Sequence, residues 1–435
     1  MNFPFTMDRP AEHRGELPEA ADAVIIGGGI VGVMAGWFLA RAGLKAVLVE
    51  KGRVAAEQSG RNWGFIRQQA RDVRELPIMV EANRLWPELA ERTGEDIGLR
   101  QGGVLYMADN ARDMETFARH EAEGRAHGTD IRLLSRPELA DLLPDARWDW
   151  RGGVFTPSDM SAEPWKAVPA FARAAVRDGL TIREGCAARG LELTAGQVSG
   201  VVTEDGVIRT ERVLLAGGAW SRLFLGPLGV RIPQASVRAT VVATEPMPGV
   251  FGGGAVDGRL GLRHRQDGGY TLAPGWGHEV FVGPDLLRSL RDFLPFWWAD
   301  PMENIPLPAA PRGFPDAWGT PRRWDGASPF EAMRILAPEP SRRRMAFLPK
   351  AFHARFPGLP EPKVRAAWAG MIDVLPDQVP IVDAVAPVPG LWLGTGLSGH
   401  GFGIGPGVGR VLADLMQGKA PGHDLSGLRF GRFGG

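Results

Sequence analysis

The chain has 435 residues, 44% hydrophobic and 23% charged, with 50 basic and 50 acidic side chains and a net charge of zero. That composition belongs to a globular chain long enough for two cores, and its neutrality provides no global field towards nucleic acid or an anionic membrane. Cys186 is the only cysteine, which excludes intramolecular disulfides and any Cys-based zinc or iron–sulfur site.

Residues 1–20, MNFPFTMDRPAEHRGELPEA, are polar and Pro-rich. They hold neither the apolar core of a signal peptide nor a ~20-residue membrane span, so a flexible tail and a cytoplasmic location are expected. Ala23 to Ile26 then read as a buried strand that runs into Gly27-Gly28-Gly29-Ile30-Val31-Gly32. A helical stretch from Val31 to Arg41 ends at Gly43, and Lys45 to Val49 form a second strand closed by Glu50. This is a βαβ unit with G-x-G-x-x-G at its first turn and an acid about 20 residues on, the fingerprint of dinucleotide binding. Gly27 permits the tight turn, Gly29 the approach of a pyrophosphate, and Gly32 close helix packing, while Glu50 can accept from ribose hydroxyls. The helix N-terminus offers free N–H groups to phosphate.

Lys51-Gly52 and the loop Glu57-Gln58-Ser59-Gly60-Arg61-Asn62-Trp63-Gly64 follow. Gly103 to Met107 (GVLYM) read as a strand, and Arg136 to Leu143 as a short helix after Ser135. Asp159 to Trp165 (DMSAEPW) precede another helix, and Arg212 to Ser221 (RVLLAGGAWS) form a strand and turn. From about residue 233 to 360, strands alternate with Gly/Pro-rich loops. Within them, residues 293–308 (FLPFWWADPMENIPLP) read as an aromatic cap or piece of core, with peripheral membrane contact as the weaker alternative. Leu391 to Leu393 form a last strand, followed by a glycine loop from Gly394 to Pro406 and a helix from Val408 to Met416.

The first glycine loop alone does not separate FAD from NAD. Two distant glycine-lined helix N-termini in one chain suggest one ligand with two electron-rich ends. FAD fits, with pyrophosphate at the first helix and the flavin pyrimidine edge at the second, where a positive dipole end favours the reduced, negatively charged ring.

These motifs together resemble the D-amino-acid oxidase superfamily, which includes glycine oxidase, sarcosine oxidase and amino-acid dehydrogenases. The resemblance extends over nearly the whole chain. It is strongest to bacterial L-amino-acid deaminases, through EKGRVAAEQS after the second strand, Cys186 to Glu192 (CAARGLE), VVTEDG, AGG, SRLF and Ser328-Pro329-Phe330-Glu331. Those deaminases carry an N-terminal membrane helix that this sequence does not show. The resemblance implies an α/β fold: a Rossmann-like FAD-binding domain with a discontinuous, mixed-sheet (α+β) substrate domain. The FAD-binding domain would take residues 21–95, 155–232 and 362–425, and the substrate domain 96–154 and 233–361.

By the same resemblance, FAD is contacted by Gly27, Gly29, Ile30, Val31, Gly32, Glu50 and Lys51, and by Ser59, Gly60, Arg61, Asn62, Trp63 and Gly64. Ala188, Ala216, Gly217, Trp220 and Gly370 are implied next, with Gly399, His400, Gly401, Phe402 and Gly403 at the flavin edge. Attachment is expected to be non-covalent. Gly370 stands where the sarcosine oxidases carry their flavin-linked cysteine, and no histidine occurs between Ser59 and Gly64.

Arg263, in GLRHRQDGGY, matches the position at which the deaminases hold the substrate carboxylate, with Arg265 on the opposite side of the strand. Tyr270 is a candidate second donor to that carboxylate, Phe65 and Arg67 border the pocket, and His400 could touch flavin or substrate. The implied reaction oxidises a small-molecule α-amino acid, with the L form favoured. Cα–H is aimed at flavin N5, and the imine product hydrolyses to a 2-oxo acid. Electrons would pass to O2 or to a quinone or respiratory component. Oxidation of N-substituted amino acids of the sarcosine, opine or imino-acid kind, or an electron-transferring subunit of a larger complex, are the alternatives.

Overall fold

Ala23–Ile26 lies near the middle of a six-stranded sheet and is buried along its whole length, with Ile25 packed among helices on one face and Val24 and Ile26 against Val198, Val201 and Ile208 on the other. The computed structural model describes residues 5–275, 277–299 and 304–434. The sheet runs Ile381–Ala384, Leu391–Thr395, Val213–Leu215, Ala23–Ile26, Ala46–Glu50, Thr181–Glu184. Its pairs are parallel except the first, which is antiparallel.

Helix α1 (Ile30–Arg41) packs on this sheet with every residue buried except Phe38 and Arg41. Helices α2 (Leu76–Thr93) and α3 (Pro164–Arg177) join it on the same face. Helix α4 (Gly401–Met416) crosses α1 closely: a Cβ on Gly409 would lie 2.4 Å from the Met34 Cβ. Trp86 ties three helices together. Its Nε1 donates to Gly403 O at 2.9 Å, and its ring meets Phe171 and Phe402 at 5.2 and 5.0 Å.

The last helix begins at Gly401, not Val408, and carries Pro406 inside it. The glycines and the proline disguised its first two turns in the sequence. The correction brings the helix N-terminus back to residues 399–401.

A ten-stranded mixed sheet stands beside the first. Its central strand, Ala235–Thr244, pairs with Val364–Val374 across nearly its whole length. Tyr270–Pro274, Leu260–His264 and Gly254–Val256 continue the sheet to Val104–Ala108. A third, three-stranded sheet (Phe65–Ile66, Met160–Ser161, Arg100–Gln101) follows the loop at residues 57–64 and fixes where Arg67 begins.

Of the segment read as a flexible tail, residues 1–4 lie outside the described residues, and residues 12–15 lie against the sheet edge. Gly15 N donates to Ile182 O, and Glu184 accepts from the N–H groups of Glu12 and His13. In the aromatic stretch, Phe293 is buried and packs with Phe296 and Trp297, whereas Trp298 is exposed. Residues 300–303 of that stretch lie outside the described residues. Among the described residues, no helix is long and apolar enough to cross a membrane.

Candidate functional site

The ends of α1 and α4 open onto one cavity of about 400 Å³. Gly29 and His400 occupy the two N-cap positions. Neither caps its helix through a side chain, and neither first turn holds an acidic residue. Both positive helix ends are therefore free to meet negative charge. The loop before α1 is shaped for a close ligand. A Cβ on Gly32 would sit 2.0 Å from Gly27 O, and Ser59 Oγ accepts the Ile30 N–H at 2.9 Å. Glu50 accepts from Gly28 N and Gly52 N, both at 2.7 Å. Each carboxylate oxygen keeps a lone pair for a ribose hydroxyl.

This donor set fits FAD. Gly27, Gly29, Ile30, Val31, Glu50 and Lys51 line the cavity, as do Ser59, Arg61, Asn62 and Trp63. So do Ala188, Ala216, Gly217, Trp220 and Gly370, and at the far end Gly399, His400, Gly401 and Phe402. Four expected contacts are instead structural. Gly32 lets α1 approach the first turn, and Gly60 lies against Ala55 O. Gly64 adopts φ +85° with Ala162 O at its back, and Gly403 lies against Ile66 and Arg67. The Lys51 Nζ is engaged within the protein, reaching Glu57 at 2.6 Å and covering the Trp220 ring at 4.3 Å. Gly32→Ala is expected to yield protein at least about tenfold weaker for FAD, read by titrating apoprotein with FAD and following flavin fluorescence.

Two substrate residues expected from the sequence lie elsewhere. Arg263 is buried and absent from the cavity wall. It forms a bidentate pair with Glu163 (2.9 and 3.0 Å) and donates from Nε to Trp63 O at 2.6 Å. Each of its three nitrogens is engaged inside the protein and the side chain does not reach the cavity wall, so Arg263 is not placed to receive a substrate carboxylate. Tyr270 also misses the cavity. Its hydroxyl accepts from Val250 N at 2.6 Å, and its ring packs on Phe352 at 5.0 Å. Arg265, on the other side of the strand, is held by Asp267, Tyr270 O and Thr244 O. Phe65 does line the cavity, edge-on to Trp63 with centroids 5.7 Å apart. Cys186 is buried, and burial pushes its thiol up to about 11, which leaves it protonated and inert.

Arg67 and His400, expected at the pocket, do face the cavity, and Arg71, which the sequence does not single out, joins them. Arg67 uses Nη1 on Gln69 O and Ala70 O, leaving Nε and Nη2 without a protein acceptor among the described residues. Its guanidinium lies 5.6 Å over the Tyr106 ring, another wall residue. Arg71 is buried, and burial together with the Arg67 charge lowers it to about 10. Behind it sits Glu75, with Oε1 3.7 Å from Arg71 Nη1 and 3.3 Å from His400 Nδ1. Burial works to raise the Glu75 carboxyl, but His400, Arg71 and Arg67 outweigh it and the net shift is downward. His400 is pushed down to about 4 by burial and by Arg71, so its ring is neutral at ordinary pH.

The wall also concentrates unusual backbone. Ala55, Gln378 and Ser398, three non-glycine residues at positive φ, all line the cavity, as strained residues at binding sites often do. Asp373 lines it as well. Its buried carboxyl, raised by desolvation, accepts from Gly396 N at 2.6 Å and holds the loop that leads into α4.

The chain also has relatives among known proteins. The family model described as FAD dependent oxidoreductase matches residues 22–415. Human mitochondrial sarcosine dehydrogenase is 26% identical over 432 residues, which cover 96% of this chain but only 42% of that protein. The chain thus spans less than half the length of that relative. Among solved structures, an L-amino acid deaminase from Proteus myxofaciens in complex with anthranilate superposes with a TM-score of 0.91. Its sequence is 28% identical, and the match covers 97% of each chain. The L-amino acid deaminase from Proteus vulgaris gives a TM-score of 0.90 at 29% identity, covering 97% of this chain and 99% of that one.

Proposed function

We propose a reaction from one established premise: this chain belongs to the FAD dependent oxidoreductase family. The reading is oxidative deamination of an α-amino acid, L forms favoured, to an imine that hydrolyses to a 2-oxo acid. FAD, held non-covalently between the two helix ends, supplies the hydride acceptor. The observation that carries the reading is the unengaged Nε–Nη2 edge of Arg67, in the same cavity as both helix N-termini. That edge matches a carboxylate bidentately. The chain's own side chains then have separate tasks. Arg67 fixes the carboxylate, Arg71 adds a second positive charge, and Trp63, Phe65, Tyr106 and Val256 form a wall that excludes water. Anchoring one end of the substrate orients Cα–H and converts the reaction into a positioned, unimolecular step.

The two Proteus deaminase structures support the L-amino-acid form of this reading. The sarcosine dehydrogenase relative supports a second form, in which the amine is N-substituted. In both, the six-stranded sheet carries the cofactor and the ten-stranded sheet roofs the substrate. The test is anaerobic mixing of the yellow protein with L- and D-amino acids and their N-methyl forms. Loss of flavin absorbance with an L-amino acid, accompanied by a 2-oxo acid, is the expected result. Bleaching by N-methyl compounds alone would replace the first form by the second, and no bleaching by any of them would overturn both.

A further inference from the structure

His400 is placed differently from a histidine that only supports a loop. It is the N-cap residue of α4 and lines the cavity, with its side chain 17% exposed. Its Nδ1 is buried and faces Glu75 Oε1 at 3.3 Å, at an angle outside a formed hydrogen bond. Such contacts commonly tighten when a ligand closes the site. Its Nε2, unlike Nδ1, is not enclosed, and it has no protein partner among the described residues. The charged groups that face this ring are Glu75, Arg71 and Arg67. Two cations disfavour protonation of the imidazole, and the carboxylate selects the tautomer that carries its proton on Nδ1. What remains is a neutral ring with its Nε2 lone pair open, on a residue that lines the same cavity as Arg67.

Resting on the amino-acid reading above, we infer that His400 Nε2 accepts a hydrogen bond from the substrate amine. It would hold that nitrogen while Arg67 holds the carboxylate, so the site selects amines that bear at least one N–H. The same cations that keep the imidazole neutral also repel an ammonium, so the amine binds in its neutral form and no proton passes to His400. A primary amine satisfies the acceptor, and so does a secondary amine. A tertiary amine has no N–H and leaves Nε2 facing a methyl group, a mismatch of the kind by which hydrogen-bonding sites reject analogues. Glu75 acts one step further back as a positioning residue, since it sets which ring nitrogen carries the proton.

The test uses ligands that bind without reacting. 2-Aminoisobutyrate has no hydrogen on Cα and cannot be oxidised there, and its N,N-dimethyl derivative lacks any N–H on the neutral amine. Isobutyrate, with no amine, reports the carboxylate anchor alone. In calorimetric titrations of the holoprotein, 2-aminoisobutyrate is expected to bind at least about tenfold more tightly than the dimethyl compound. His400→Leu should reduce that ratio to about threefold or less while isobutyrate binding is kept. His400→Gln, which retains an acceptor, should recover most of the ratio. Glu75→Gln frees the tautomer and should give an intermediate value. A ratio unchanged in His400→Leu, or a dimethyl compound bound by wild type as tightly as its parent, would overturn the inference and leave the amino-acid reading standing. If none of the three carboxylates binds, the amino-acid reading itself falls.

Discussion

Arg67→Ala is expected to weaken substrate binding about 100-fold or more while the purified protein stays yellow and folded. The Arg67 side chain reaches the cavity from the residues just after Phe65–Ile66, past the loop that lines the cofactor end. Only Nη1 is committed, and to backbone carbonyls that hold the guanidinium in place. The ring of Tyr106 lies beneath it. Pre-organisation of this kind lets a carboxylate bind without first breaking an ion pair. Removing the guanidinium takes away two charge-assisted bonds, each contributing about 1.5–3 kcal/mol. Rapid mixing under anaerobic conditions separates the effect. The dissociation constant for the amino acid should rise, and the limiting rate of flavin bleaching should fall as the substrate loses alignment. Arg67→Lys should recover only part of the affinity, because an ammonium cannot form the two parallel bonds. A dissociation constant within threefold of wild type would remove Arg67 from the site.

The contrast between Arg67 and Arg263 shows what was legible in the sequence. The cofactor half was readable because its signals are local: a strand, a glycine turn, a helix start and an acid occur within one βαβ unit. Residues 27 to 50 accordingly fall where their spacing predicts. The second glycine loop was readable as a helix end, but the onset of the helix was misplaced because Gly and Pro conceal helical periodicity. The substrate half depends on contacts between distant segments. Nothing near Arg263 in sequence reveals that Glu163, exactly 100 positions away, neutralises it. Nor does FIRQQAR reveal that both of its arginines face His400. A register shift of one residue would exchange the faces of that strand, and sequence alone does not fix which arginine is satisfied internally. Proximity to the loop Glu57 to Gly64 is the signal that places Arg67 at the pocket border in the sequence, and the same signal extends to Arg71.

The Arg263–Glu163 pair supports the opposite kind of expectation, a large loss of stability with little effect on the substrate. Both side chains are almost wholly buried, with 2% and 3% exposed. Glu163 also accepts from Gln266 N, and Arg263 also donates to Trp63 O. The pair therefore ties the start of α3 to the 260–266 strand and its turn, and to the loop under the cofactor. Arg263→Met leaves a buried carboxylate without its cation, which costs about 3–5 kcal/mol. That should lower the thermal midpoint by about 3–6 °C. Glu163→Gln should do much the same by stranding the guanidinium. Replacing both by methionine should recover a large part of the loss, because no uncompensated charge remains.

The pH dependence has a definite sign. Burial would raise the Glu163 carboxyl, but Arg263 outweighs it and holds it below its ordinary value. The stabilisation is therefore complete above the ordinary glutamate range and is lost only on acidification below it. The difference in midpoint between wild type and Arg263→Met should accordingly shrink in acid and widen as pH rises through the range to which burial lifts the uncompensated Glu163 carboxyl of the variant. Substrate affinity measured well below the midpoint should remain within about threefold of wild type, since Arg263 does not reach the cavity. An Arg263→Met protein with an unchanged midpoint and a 100-fold weaker substrate would return the carboxylate to Arg263. It would also mean that the ion pair opens to admit the ligand.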